Sequence, residues 1–258
     1  MATQPARSLK HEYQLFVEEE IENYKESIPR SAILAIGDEA VRTLSAEPQL
    51  ALTEMLLWEE VDRVIVRRLR LPAYNTWRKR RLKILAELRR PEHWGLHPDD
   101  PVVRALRPAA EGHVLVAGVP RDAQTLYLAA NGCEVTAIGP ESEALERVLN
   151  AAEEAGLTDR VHALDADFTS WIPDGPLHAV ICTPEAFIGL SAAERARVIA
   201  ALQSATADGG VHLLQAIAAG KKTLSLTELR RWYEGWEITV EKGDGLKANT
   251  FLARKELS

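Results

Sequence analysis

Hydrophobic positions in the first ninety residues recur at helical spacing. Leu15, Phe16, Ile21 and Tyr24 form one set, and Ile33, Leu34, Ile36, Val41 and Leu44 a second. Apolar residues three or four apart share one helix face. Pro29 followed by Arg30-Ser31 predicts the start of the second helix. Pro48 suits the first turn of a third, which runs through Leu52, Leu56, Leu57, Val61, Val64 and Ile65; proline there gives up an N–H that a first turn leaves unused anyway. Pro72 ends or kinks that helix, and a fourth carries Trp77, Leu82, Leu85 and Leu88. Pro91, Gly95, Pro98 and Pro101 make residues 91–101, PEHWGLHPDDP, read as a linker. The reading gives a helical region over residues 1–100 and a second region over 101–258.

From residue 112 the pattern changes. HVLVAG, CEVTAIG, DRVHALDADF, LHAVICT and GGVHLLQAI each contain a short apolar run, and helical patterns such as DAQTLYLAANG, ESEALERVLNAAEEAG and SAAERARVIAALQSATA separate them. Strands alternating with helices imply right-handed βαβ units and a parallel sheet. After a helix at SLTELRRWYEG, the runs WEITVEK and NTFLARK flank GDG, which predicts an antiparallel pair. The fold class is therefore α/β: five parallel strands plus an antiparallel C-terminal pair, preceded by an all-α region.

The charge is unevenly spread. The chain of 258 residues has a net charge of −7. Residues 63–90 hold 11 Lys and Arg against one acid, Glu87, a net of +10 that leaves −17 for the remainder. Three readings of this segment stay open. Tyr74 and Trp77 interleave with Arg78, Lys79, Arg80 and Arg81, as phosphate contacts with stacking would require. The same residues, with Arg67, Arg68 and Arg70, would also suit an acidic protein partner. Alternatively the cations are solvated or pair internally with the Glu18, Glu19, Glu20, Glu22, Glu26 cluster of the first helix. No run of 18 apolar residues suggests a membrane span, and the N-terminus lacks the apolar stretch of a secretory signal. Two cysteines, Cys133 and Cys182, are too few for a disulfide framework and suit a reducing cytoplasm.

Residues 113–141, HVLVAGVPRDAQTLYLAANGCEVTAIGPE, resemble the first strand–helix–strand of class I S-adenosylmethionine-dependent methyltransferases, nearest to the tellurite-resistance and thiopurine-methylating branches. There the pattern is roughly VLDLGCGxGxxxLYLAxxGxxVTAxD. The stretch from DFTSWIPDG to GGVHLL resembles the family's third to fifth strands, and ELRRWYEGWEITVEK its last helix and sixth strand. The resemblance covers about 145 residues and leaves residues 1–100 outside it. It implies a Rossmann-like methyltransferase sheet, S-adenosylmethionine as cofactor and a small-molecule substrate.

It also implies a site. Gly118 keeps the first glycine of the loop after the first strand, where a bare backbone approaches the cofactor and a helix N-terminus faces its carboxylate. Pro120 and Asp122 stand where the pattern has further glycines. Asp122 as helix N-cap would use up the N–H donors, whereas Arg121 would pair the cofactor carboxylate. The family's ribose-binding acid falls on Gly139. Glu141, two residues on, either reaches back to the ribose or merely favours its own helix dipole. Asp167 and Phe168 match the adenine-contacting acid and its stacking neighbour, with Asp165 a competitor and an N-cap role for a helix from Phe168 the alternative. Thr183 ends the fourth strand beside any ligand. The run Thr183-Pro184-Glu185 departs from the Asn-Pro-Pro-aromatic signature of amide and base methylation and leaves Glu185 as the candidate base. Cys182 reads as a buried apolar residue.

Other chemistry is sparse. His93 and His97 are four apart, but the surrounding Pro and Gly argue against a shared helical face, so no metal site is expected. His162, His178 and His212 read as core or rim residues. No dinucleotide fingerprint, P-loop or Ser–His–Asp elbow is present. Two functions follow: a small-molecule methyltransferase, or a methyltransferase-fold binding module acting through its basic helical region on a protein or nucleic acid. The oligomeric state is left open.

Overall fold

The computed structural model describes residues 8–46, 54–106, 112–118, 121–139, 141–166, 168–171, 173, 175–218, 224–242 and 248–256. It divides into two compact units, Met1–Ile84 and Leu85–Ser258.

The first unit consists of α1 (Leu9–Ser27), α2 (Arg30–Ser45), α3 (Glu54–Leu69) and most of α4 (Tyr74–Leu88). Ser8 opens α1 by accepting from the His11 N–H, which satisfies one of the donors a helix start leaves free. Proline precedes α2, as its sequence predicts, while Pro48 lies outside the described residues. α3 ends at Leu69 and Arg70 turns out of it at φ 51°, two residues before Pro72. Ile21, Ile36, Ala40, Val61, Val64 and Ile65 form the core, covered by Val17, Tyr24, Leu57 and Leu69. Lys25 sits 2.9 Å from both Glu22 and Asp62, tying α1 to α3. Burial works against its charge, but the two carboxylates win and raise its pKa. Leu34 and Leu82, counted above as apolar-face positions, are instead 61% and 43% exposed. They lie off the stripes that the neighbouring buried residues define.

The second unit is a seven-stranded sheet of order β3-β2-β1-β4-β5-β7-β6. Its strands are β1 (His113–Ala117), β2 (Glu134–Ile138), β3 (Val161–Leu164), β4 (Leu177–Cys182), β5 (Thr206–Ala218), β6 (Trp236–Lys242) and β7 (Ala248–Lys255). The first five pair in parallel, and β7 lies antiparallel between β5 and β6. Alternate side chains go to opposite faces. Val114, Val116, Val135, Ala179 and Ile181 pack on one side beneath α5 (Pro101–Leu106), α6 (Asp122–Ala130) and α7 (Ser142–Glu154). Leu115, Ala117, Val180, Cys182 and Leu214 pack on the other, beneath α8 (Ala192–Ala205) and α9 (Leu226–Trp232). Ser191 and Ser225 open α8 and α9 with reciprocal capping boxes to Glu194 and Glu228. Those hydrogen bonds from Ser225 lower the pKa of Glu228.

The stretch read as a linker is structured. Pro91–Trp94 is a 3-10 turn closed by Gly95 at φ 73°, with Trp94 Nε1 donating to the Leu88 carbonyl at 2.7 Å. Val102 and Val103 of α5 are buried in the sheet core, and Trp94 and Leu96 pack against it. Trp94 and Leu96 among the prolines, with the paired valines directly after them, carry enough apolar surface to dock. His212 on β5 is a core residue: its Nε2 lies 2.7 Å from Thr206 Oγ1 and its Nδ1 2.6 Å from the Tyr233 hydroxyl. Among the described residues no helix is long and apolar enough to cross a membrane.

Candidate functional site

The strand order reverses direction at β1, whose neighbours are β2 on one side and β4 on the other. In open α/β sheets ligands bind outside the carboxyl ends of the strands at such a switch point. Here those ends are knitted together. The Gly118 N–H donates to the Ile138 carbonyl at 2.8 Å, and the Thr183 N–H to that of Ala117 at 3.0 Å. Gly118 has φ 107°, and a Cβ placed on it would fall 2.2 Å from Thr183 Oγ1 and 2.9 Å from the Ala186 nitrogen. Only glycine can occupy this corner. Thr183 is buried against it, and the 3-10 turn Pro184–Phe187 follows directly.

Arg121, not Asp122, is the residue that opens α6, and no side chain caps that helix. Asp122 is the first helical residue and its carboxylate pairs with Arg147 Nε of α7 at 2.9 Å. The expected self-capped turn is therefore absent, and the Arg121 side chain is exposed. Glu141 stands at the N-cap of α7 rather than in its first turn, exposed and making no side-chain cap. Gly139 is buried at the end of β2. Asp167 lies outside the described residues. Residues 168–170 form a turn, not a helix start. Phe168 is half-buried, with its ring edge-on to Phe187 at 5.9 Å. Asp165 is exposed. Glu185 is half-buried in the 3-10 turn beside Gly118, and its side chain makes no hydrogen bond or ion pair among the described residues.

Burial raises the pKa of the Cys182 thiol far above its ordinary value, so it holds no nucleophile. Cys133 is likewise pushed up by burial, to about 11. His162 is exposed, 3.6 Å from Glu134, and His178 Nδ1 accepts from the His113 N–H. His93 lies edge-on to Trp94, and His97 Nδ1 accepts from the Asp99 N–H. No group of three potential metal ligands occurs among the described residues.

Two features of this edge escaped the sequence pattern. Leu164, the last residue of β3, and Ile188, which closes the 3-10 turn after β4, are bare apolar side chains, 41% and 66% exposed. The signal for Ile188 is local, an isoleucine directly before Gly189 at φ 83°. The Asp122–Arg147 pair joins residues 25 apart in sequence, which no spacing rule anticipates.

The basic segment separates into two groups. Arg63 and Arg67 hold Glu60 at 3.2 and 2.8 Å, Arg68 pairs with Glu39, Arg81 with Glu12, and Arg90 with Glu87. The acceptors are thus not the cluster expected: Glu22 pairs with Lys25, and Glu18, Glu19, Glu20 and Glu26 make no ion pair among the described residues. Arg70, Arg78, Lys79 and Arg80 are exposed and likewise unpaired there. Trp77 and Tyr74 do not stand free. Both pack on Tyr13 of α1 at a centroid distance of 5.4 Å, and Trp77 also on Phe16 at 6.1 Å.

No protein-family model matches the sequence, and the comparison with curated proteins finds no significant match. Solved structures do match. TehB from Haemophilus influenzae superposes with a TM-score of 0.53 over 62% of this chain and 63% of its own, at 21% identity. The N-methyltransferase NodS from Bradyrhizobium japonicum does so with 0.50 over 62% of this chain and the whole of its own, at 15% identity. The chain thus spans under two thirds of TehB. The likeness is one of fold, and with the strand order it defines the class: the sheet of Leu85–Ser258 has the class I S-adenosylmethionine-dependent methyltransferase fold.

Proposed function

We propose that this protein binds S-adenosylmethionine across the carboxyl ends of β1, β2 and β4 and methylates a small-molecule nucleophile. The observation that carries the reading is Gly118: a left-handed glycine at the switch point, leading into a helix with no side-chain cap. That corner offers a bare backbone and a helix start without a side-chain cap where a cofactor carboxylate needs donors, with the exposed Arg121 side chain alongside.

On this reading Glu141 serves the ribose, Asp167 and Phe168 the adenine, and Thr183 lines the floor against Gly118. Bound S-adenosylmethionine supplies an electrophilic methyl group. The chain's part is to place the acceptor in line with it, which needs few reactive side chains. Glu185, half-buried without a described partner, is the group to take up the acceptor's proton. Leu164 and Ile188 give the acceptor an apolar wall. The two buried free thiols suit a reducing cytoplasm.

A second reading has its own support. Gly139 leaves the end of β2 without an acid, as expected of a fold kept as a binding module rather than an enzyme. Calorimetric titration with S-adenosylmethionine and S-adenosylhomocysteine separates the two. Submillimolar binding that weakens in Asp167→Ala and Arg121→Ala supports the enzyme, and no heat at millimolar ligand overturns it.

A further inference from the structure

We infer that the solvent face of α4 is a docking surface for an acidic, amphipathic segment of a partner protein. The surface lies in the helical unit and does not rest on cofactor binding. Arg78, Lys79, Arg80 and Lys83 fall within six consecutive positions of α4, and Arg70 precedes the helix. All five are exposed, and their side chains have no ion pair or hydrogen bond among the described residues. Their neighbours Arg63, Arg67, Arg68 and Arg81 are by contrast neutralised by Glu60, Glu39 and Glu12. At about 100° per residue the four helix cations sweep an arc of roughly 200°. Tyr74, Trp77 and Arg81 occupy the other side, turned to α1.

The chemistry of the arc favours protein over nucleic acid. Leu82, 43% exposed, stands among the cations, and Ile84, 51% exposed, borders them about 40° past Arg80. A phosphate backbone offers them nothing to pack against, whereas a protein segment with apolar residues between its acids buries them. Base stacking needs free aromatic faces, and Tyr74 and Trp77 have spent theirs on Tyr13 and Phe16. α1 also exposes Glu18, Glu19 and Glu26. Packed helices lie roughly 8–10 Å apart, about one Debye length at physiological salt. A continuous polyanion would feel those acids, while a discrete segment can avoid them.

The test uses the full-length protein and fluorescence anisotropy with four probes: a helical Leu/Glu peptide, poly-glutamate, duplex DNA and single-stranded RNA. The peptide should bind most tightly, and its affinity should fall steeply with salt. Lys79→Glu with Arg80→Glu should weaken it by about tenfold or more. Leu82→Asn with Ile84→Asn should weaken the peptide about fivefold and leave poly-glutamate unchanged. These positions are exposed, so unchanged melting temperatures confirm that the variants are folded. Tighter binding of DNA or RNA than of the peptide overturns the inference. So does equal affinity for peptide and poly-glutamate, indifference to charge reversal, or no peptide binding at low salt.

Discussion

Acid should destabilise the second unit through His212. The ring is fully buried, and its two nitrogens are both spoken for. Thr206 Oγ1 donates its hydrogen to the Leu202 carbonyl at 2.6 Å, so it can only accept from the Nε2–H. Nδ1 then carries the lone pair and accepts from the Tyr233 hydroxyl. A second ring proton would have to point at that hydroxyl hydrogen in a site without water-like screening. Burial first, and the nearby Lys255 charge second, hold the pKa down to about 3. The unfolded chain binds the proton near 6.5, so the unfolded state carries more protons between those values. Stability is complete above about pH 6.5 and is lost as the pH falls toward 3, by about 1.4 kcal/mol per unit. At pH 5 the loss is about 2 kcal/mol, a large share of a domain's margin. Urea unfolding at pH 7.5 and pH 5 should show wild type losing about 2 kcal/mol more than His212→Gln over that interval. Carboxylates titrate equally in both proteins, so the difference isolates the histidine. Equal losses, within about 0.5 kcal/mol, would refute the argument.

Three further outcomes follow from particular contacts. Gly118→Ala should cost at least about 2 kcal/mol in thermal or urea unfolding, because the methyl group meets Thr183 and the backbone is left-handed; adding Thr183→Ala should recover part of it. Glu60 is a nearly buried carboxylate held by two half-solvated arginines. Removing both arginines strands that charge and should cost about 3 kcal/mol, whereas Glu60→Met should be neutral or stabilising; urea midpoints of the two variants decide it. Ser191→Ala removes a capping box at the start of α8 and should lower stability by about 1 kcal/mol, read from the same transitions.

The sequence made the sheet legible because its two signals are local and redundant. Short apolar runs alternate with helical patterns, and a GDG between two polar-edged strands marks the antiparallel return. Gly118 was legible for the same reason: a left-handed corner at a strand end leaves glycine no substitute. What failed were inferences about partners. Asp122 at a helix start reads as a cap, yet the competing ion pair with Arg147 comes from the next helix and is invisible to spacing. The Glu18–Glu26 cluster looked like the counterpart of the arginines, but Glu12, Glu39 and Glu60 lie nearer once the helices pack. Residues 91–101 read as a spacer from their proline density, yet Trp94 and Leu96 within them dock on the sheet core.

The end of β2 is where the enzyme reading is most exposed to test. The methyltransferase resemblance puts a ribose-binding acid at Gly139, and charge-assisted hydrogen bonds of that kind contribute roughly 1.5–3 kcal/mol each. Gly139 is buried at the end of β2. Gly139→Asp should therefore regain affinity for S-adenosylhomocysteine. Two new hydrogen bonds, less the cost of holding a buried carboxylate ready in the free protein, leave a gain of about 10- to 100-fold. Gly139→Asn presents the same shape without the charge and should gain less. The free Asp variant should at the same time unfold more easily, by about 1 kcal/mol, since its carboxylate has no partner until ligand arrives. Calorimetry on the three proteins, beside their urea midpoints, reads both effects. Loss of stability without any gain in affinity would mean that no ribose sits at this strand end, and the binding-module reading would then stand in place of the enzyme.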